Sequence, residues 1–242
     1  ARRVAVAVRE CLDACLREEA LEDSAMLALF TARDTDVETV CEAADELRRR
    51  QVGDAVSYVI NRNINYTNVC QYSCRFCAFS KGGGEVASGR AAYDIDAEEL
   101  HRRVEEAAAL GATEVCLQGG IHPDYTGQTY LDILRTVKEA APAIHVHAFS
   151  PLEIDQGAST LNLPLDQYLS MLKEAGLDSL PGTAAEVLDE RVRDILCPDK
   201  VSAERWLEIM DCAHGLGLSS TATIMFGHVD SPSSWVNHWQ RV

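Results

Sequence analysis

From Ala55 onward the sequence alternates strand-like and helix-like segments, and this alternation restricts the fold more than any other feature of the chain. Strands are expected near 56–67, 113–118, 144–149, 178–181 and 220–226, and helices near 96–110, 128–140, 165–175, 184–195 and 202–215. Asp96 ahead of Glu98-Glu99, and Ser202 ahead of Glu204, supply N-caps with acidic first turns. Gly111, Gly176 and Gly217 stand where a helix must end before the next strand. Five β-then-α units in series imply a parallel sheet with right-handed crossovers. The expected fold is α/β: a partial (β/α) TIM-like barrel over residues 55–242, preceded by a helical segment over 1–54. In that segment Val4, Val8, Cys11, Leu12 and Cys15 recur at helical spacing, and Met26, Leu27, Leu29 and Phe30 form a second helix. Asp36 is expected to cap a third helix, closed by Arg48-Arg49-Arg50 and Gly53. The arginines read better as cations at a helix C-terminus than as an anion site.

The outer face of such a sheet packs helices, so the polar parity of each strand points inward. Ile144, Val146 and Ala148 share one parity, and His145 and His147 share the other. By the same test Glu114, Cys116 and Gln118 face in, as do Asn61, Asn63, Asn65 and Thr67. An interior this polar is kept for a ligand, and ligands of such barrels sit at the C-terminal ends of the strands.

Straight after the first strand come Cys70, Cys74 and Cys77, a C-x3-C-x2-C triplet. Three thiolates can hold a [4Fe–4S] cubane and leave one iron without a protein ligand, unlike the four-cysteine arrangements of ferredoxins. The use of such an iron is to chelate S-adenosylmethionine (SAM), whose one-electron cleavage yields a 5′-deoxyadenosyl radical. A zinc site built on the same triplet needs a fourth Cys or His, and no partner motif follows, although His101 or His122 could fold back. Phe76 and the apolar Ala78-Phe79 add detail that zinc does not require.

The other strand ends carry further candidates. Gln118-Gly119-Gly120 offers backbone that a ligand can approach without a Cβ in the way. Ser150 and Glu153 put a hydroxyl and a carboxylate at the rim, where a glutamate can accept both hydroxyls of a ribose. Thr183 and Glu186 form a T-x-x-E pattern, read as a capping box for the following helix or as site residues. His228 after the fifth strand is a general acid/base candidate or a loop histidine.

The net charge of −16 speaks against nucleic acid and anionic membrane as partners. Nine cysteines, an odd number, with no signal-peptide pattern, fit reduced thiols in the cytoplasm better than a disulfide scaffold.

With these residues assembled the chain resembles a radical SAM enzyme. More narrowly, from about Leu21 to the C-terminus, it is similar to the tyrosine-using half of FO synthase, which serves deazaflavin (coenzyme F420) biosynthesis. The segments that carry the likeness are 61–70, 112–121, 145–154, 179–186 and 225–232. The resemblance implies transfer of the 4-hydroxybenzyl unit of L-tyrosine to 5-amino-6-(D-ribitylamino)uracil. A radical formed on the tyrosine amino group breaks the Cα–Cβ bond and leaves iminoacetate, methionine and 5′-deoxyadenosine. It also implies an electron donor and a second radical SAM subunit or fused domain that closes the ring. Carried over by position, Cys70, Cys74 and Cys77 bind the cluster. Phe76, Gln118, Gly119, Gly120, Ser150 and Glu153 contact SAM; Asn65, His147 and Thr183 face substrate; Glu186 and His228 are the catalytic candidates. The alternatives are the futalosine-type radical SAM enzymes of menaquinone synthesis, a non-catalytic zinc module and an inactive fragment. The family barrel has a sixth strand, whereas this chain ends at Val242 inside an opening helix. A truncated barrel with an open, poorly stable parallel edge is therefore expected.

Overall fold

The computed structural model describes residues 5–81 and 91–242. They form two compact units, one made of the chain up to Tyr58 with 187–189 and 226–242, the other of 59–186 and 190–225.

The first unit is helical: α1 (Val6–Leu16), α2 (Asp23–Phe30), α3 (Thr35–Val52) and, from the far end of the chain, α10 (Pro232–Arg241). Val8, Leu12, Ala32 and Ala43 make its core, with Leu29 and Val40 packed against them. Phe30 of α2 meets Trp235 of α10 edge to face, ring centroids 5.7 Å apart. His238 is buried and its Nδ1 accepts the Leu188 N–H at 3.1 Å. The expected cap at Asp36 lies one turn position too late. The helix starts at Thr35, and Asp36 sits in its first turn, accepting instead from the Ala5 N–H at 3.1 Å. Arg48, Arg49 and Arg50 pair with Asp45, Asp54 and Glu46, and Arg50 also reaches the Leu16 carbonyl at 3.0 Å. They are helix-end cations with carboxylate partners, as the sequence suggested.

The second unit is built on five parallel strands in the order β1-β2-β3-β4-β5. These are β1 (Asn61–Asn65), β2 (Glu114–Gln118), β3 (His145–Ala148), β4 (Ser179–Leu180) and β5 (Ser219–Ser220). Between them run α4 (Ala97–Ala109), α5 (Gly127–Ala140), α6 (Pro151–Leu161), α7 (Leu165–Ala175), α8 (Glu190–Leu196) and α9 (Ala203–Gly215). The sheet is an open α/β arc among the described residues, the partial barrel expected from the alternation. One parity of the strands is sealed: Ile64, Val115, Leu117, Val146 and Ala148 are at most 1 % exposed. Leu100 and Val104 of α4, Leu134 and Val137 of α5, and Ile209 and Ala213 of α9 supply the buried helical side. Fully burying each larger side chain contributes about 1.5–3 kcal/mol, which makes this apolar layer the main stabilising element of the unit. The opposite parity, from Asn61 and Glu114 to His145 and His147, is exposed or half-buried, as the pattern required.

Three local expectations change. The strands are shorter than expected: residues 56–60 are exposed coil, and 221–225 leave the sheet after two residues of β5. There the chain is held by backbone and side chains together: Thr221 N–H to the Leu180 carbonyl at 3.0 Å, Met225 N–H to the Glu186 carbonyl at 2.8 Å, Gly182 N–H to Thr221 Oγ1 at 2.9 Å and Thr223 Oγ1 to the Gly182 carbonyl at 2.7 Å. The helix expected at 184–195 begins only at Glu190, because Ala184 and Glu186 hold φ of 69° and 50°, outside the helical region. The chain instead forms an unexpected helix, α6, directly after β3. Ser150 caps it, Pro151 occupies its first turn, and Glu153 closes a capping box back to the Ser150 N–H. Val4, expected on the first helix, lies outside the described residues.

Candidate functional site

The C-terminal ends of β1 to β4 converge on one pocket of about 210 Å³ in the second unit. Cys70, Cys74 and Cys77 all line it, with Phe76 between the last two. The loop that carries them is pinned by backbone: Gln71 N–H to the Ile121 carbonyl at 2.9 Å, Arg75 N–H to the Leu196 carbonyl at 2.9 Å, and Cys77 N–H to the Cys74 carbonyl at 3.1 Å. The three thiols are free. Burial pushes the Cys74 thiol up to about 11, and the nearby Lys200 charge pulls the other way. A bound metal ion deprotonates a coordinating thiol, which would offset the effect of burial at Cys74.

The same pocket is lined by Gln118, Gly119 and Gly120 from β2 and its exit, and by Ser150 and Glu153 from the start of α6. The two glycines owe their identity to protein neighbours. A Cβ on Gly119 would stand 2.3 Å from the Tyr66 ring, and one on Gly120 would stand 2.2 Å from the Val69 carbonyl oxygen. Both glycines line the pocket, where close packing also excludes a side chain, and their N–H groups donate to Glu153 at 3.3 Å and to the Thr67 carbonyl at 2.9 Å.

Glu153 is likewise not a rim residue. It is 1 % exposed, and both its oxygens are engaged. Oε2 accepts from the Ser150 N–H and Oγ, each at 2.6 Å; Oε1 accepts from Gly119 N–H and from the Tyr66 hydroxyl. Burial drives its pKa upward against the pull of those donors. The Tyr66 phenol is held protonated by burial and by the Glu153 charge, which suits it as the donor of the pair. Around it Tyr125 stacks at 6.1 Å and Phe149 meets it edge-on at 6.3 Å. Phe149 itself holds φ of 62°, a left-handed conformation at the exit of β3 that costs a non-glycine residue about 1–2 kcal/mol. Strain of this kind persists where surrounding structure fixes it, and it clusters at functional sites.

Thr183, Ala184 and Glu186 close the pocket from the loop after β4. The T-x-x-E pattern is not a cap: no helix starts there, and Glu186 pairs with Lys200 at 2.5 Å, the two side chains 13 % and 10 % exposed. Lys200, which the sequence reading missed, also lies over the Phe76 ring at 5.3 Å. Arg193, buried in α8, fixes this corner by donating to the carbonyls of Ala184 at 3.1 Å, Ala185 at 2.5 Å and Val201.

Three expected site residues fall elsewhere. Asn65 and His147 lie on the polar parity of the sheet, outside the pocket lining. Asn65 is in register with Gln118, which does line the pocket, and His147 Nδ1 shares the Ser179 hydroxyl with His145 Nε2, at 2.7 and 2.8 Å. Burial holds the His147 pKa below the usual imidazole value. His228 belongs to the other unit, where it is exposed and its N–H donates to Asp230 at 2.8 Å.

Among the described residues no group of three or more His, Cys, Asp or Glu side chains converges on a single metal ion, as a mononuclear zinc site demands. Three thiols lining one pocket are a donor set that fits a cubane, which binds each thiolate at a different iron. A family model for the Radical SAM superfamily matches residues 64–241. The chain belongs to the radical SAM superfamily. Solved structures share the architecture: HydG, a maturase of [FeFe]-hydrogenase, superposes with a TM-score of 0.72 over 98 % of this chain and 51 % of its own, at 15 % identity. Methylornithine synthase (PylB) gives 0.72 over 95 % and 63 %, at 19 % identity. Among relatives in sequence, FO synthase of Streptomyces coelicolor is 48 % identical over 218 residues, 90 % of this chain and 25 % of its own length. The 5-amino-6-(D-ribitylamino)uracil–L-tyrosine 4-hydroxyphenyl transferase of Methanopyrus kandleri is 48 % identical over 203 residues, 84 % of this chain and 54 % of its own. The chain thus spans about a quarter of the first relative and about half of the second. Members of the superfamily use a [4Fe–4S] cluster and SAM, and the three pocket cysteines are the residues here that fit the cluster. No helix among the described residues is long and apolar enough to cross a membrane.

Proposed function

We propose that this chain carries the radical SAM core of a transferase that joins the 4-hydroxybenzyl unit of L-tyrosine to 5-amino-6-(D-ribitylamino)uracil. The observation that carries this reading is the 48 % identity to the Methanopyrus kandleri protein named for that reaction. Cys70, Cys74 and Cys77 hold the cluster. When bound, cluster and SAM supply a one-electron cleavage that generates a 5′-deoxyadenosyl radical. The remaining work belongs to the chain. Phe76 and the Gln118-Gly119-Gly120 exit shape the SAM side of the pocket. Ser150 and Glu153 hold that exit in place through the Glu153–Gly119 bond, and Thr183 and Glu186 bound it from β4. The polar parity of the sheet, including Asn65 and His147, offers donors and acceptors to the uracil ring and ribityl hydroxyls. His228 stays a catalytic candidate by position in its motif. FO synthase relatives about four times as long support a second radical SAM half as the partner that completes the ring.

The test is anaerobic turnover with SAM and a reductant, followed by mass spectrometry of 5′-deoxyadenosine and products. The reading predicts a hydroxybenzyl–pyrimidine adduct only when tyrosine and the ribitylaminouracil are both present. Deoxyadenosine release triggered by a futalosine-type substrate, without the adduct, would contradict it.

A further inference from the structure

The segment 196–201 touches the cysteine loop in two places and the β4 loop in one, with a second link to that loop through Arg193 of α8, although no cysteine of the triplet lies within it. The Leu196 carbonyl accepts the Arg75 N–H at 2.9 Å, one residue after Cys74. The Lys200 ammonium stands 5.3 Å over the ring of Phe76, one residue before Cys77. The same ammonium pairs with Glu186, and the Val201 carbonyl is gripped by Arg193, which also holds the Ala184 and Ala185 carbonyls. Both partners of the ion pair are nearly sealed from solvent yet line the pocket with all three cysteines.

We propose that Lys200 and Glu186 form a positioning pair for the cluster: Lys200 clamps the Cys74–Cys77 turn through Phe76, and the two opposite charges set the electrostatic field at the irons. A buried ion pair is a costly way to fix a loop, since both charges lose their water, and breaking it by removing one partner leaves the other uncompensated. The face of an aromatic ring attracts a cation within about 6 Å, more strongly when water is excluded, so the clamp operates in the geometry seen. Cluster potentials respond to net charge and burial around the cluster, and a charge in a pocket of low dielectric acts at longer range than one in water. The sequence order matters as well. A hold on Phe76 fixes the short link between two cluster ligands, whereas a hold elsewhere in the loop would leave their spacing free. This inference rests on the superfamily assignment and not on the choice of substrate.

The experiment compares the wild-type chain with Lys200→Met, Lys200→Arg and Glu186→Gln after anaerobic reconstitution. Three quantities are read: iron and sulfide per chain, the rate of iron release to a chelator, and the cluster midpoint potential from a redox titration followed by electron paramagnetic resonance. Lys200→Met removes a positive charge and is expected to shift the potential to more negative values. It should also speed iron release by about threefold to tenfold, the range a lost cation–π contact allows. Glu186→Gln removes a negative charge and is expected to shift the potential the opposite way. Lys200→Arg keeps charge and ring contact and should stay near the wild type in both. A role confined to packing would not give shifts of opposite sign. Shifts of the same sign, or none, overturn the proposal. If Lys200→Met does not fold, Glu186→Gln decides alone, and an unshifted potential in it overturns the proposal. Absence of hydroxybenzyl transfer with these shifts intact would count against the substrate reading only.

Discussion

Gly119 shows how one residue can be conspicuous in sequence for a reason that only the fold reveals. A Gly-Gly after a strand suggests backbone laid open to a ligand, yet the missing Cβ makes room for the Tyr66 ring. That ring cannot step aside, because its hydroxyl is bonded to Glu153 and its faces meet Tyr125 and Phe149. Gly119→Ala is therefore expected to overpack the site and cost about 1–3 kcal/mol, read as a lower midpoint in urea unfolding with unchanged slope. A wild-type midpoint would show that Tyr66 yields. Lys200 is the converse case. It sits in Cys-Pro-Asp-Lys between two helices, with no periodicity or motif to mark it, and its partners Glu186 and Phe76 are 14 and over a hundred residues away. Ion pairs between loops leave no local trace in a sequence. The cysteines do, because their spacing is itself the chemical requirement.

At the level of elements, the same four-residue pattern occurs twice with opposite outcomes. Ser150-x-x-Glu153 is a reciprocal capping box that starts α6, and losing such a cap costs about 1 kcal/mol. Thr183-x-x-Glu186 starts nothing, since Ala184 and Glu186 adopt left-handed φ and the carboxylate goes to Lys200. Pattern alone cannot separate the two; the partner available in space decides. Helix α6 was illegible for a related reason: it begins on the residue after β3 ends its turn, without the loop that normally announces a helix. The junction of β3, α5 and β4 makes a prediction of its own. Asp178 accepts from the Lys138 ammonium and the Val146 N–H, both at 2.8 Å. Partial burial opposes ionisation, but those partners outweigh it and hold the carboxyl below its ordinary 3.8. A lowered folded-state pKa stabilises at pH values above the unfolded one, and the contribution is lost as pH falls through the folded value. Asp178→Asn should therefore be less stable than wild type at neutral pH, with the gap closing as pH drops below 3.8. A gap that is constant across that range would place the effect outside the charge.

On the scale of the whole molecule, strand–helix alternation was enough to name a parallel α/β arc, and strand parity was enough to say which face is sealed and which is polar. Both follow from periodicity, which a chain must carry to bury one face of each element. The short fifth strand was not legible, because past Ser220 the Thr221 and Thr223 side chains bond Gly182 alongside isolated backbone bonds in place of a regular ladder. Nor was the grouping of 226–242 with the N-terminal helices, which depends on distant contacts such as Gln240 with Leu21 and Asp23, at 3.2 and 3.1 Å. The claim on which the account depends is that Cys70, Cys74 and Cys77 make this pocket a cluster site with one iron open to SAM. It is tested most directly by anaerobic reconstitution, metal and sulfide analysis, and electron paramagnetic resonance of the reduced protein with and without SAM. The account predicts about four irons with sulfide per chain, a spectrum that changes when SAM is added, and loss of both on replacing any one of the three cysteines with alanine. One zinc per chain, or an iron–sulfur signal indifferent to SAM, would contradict it.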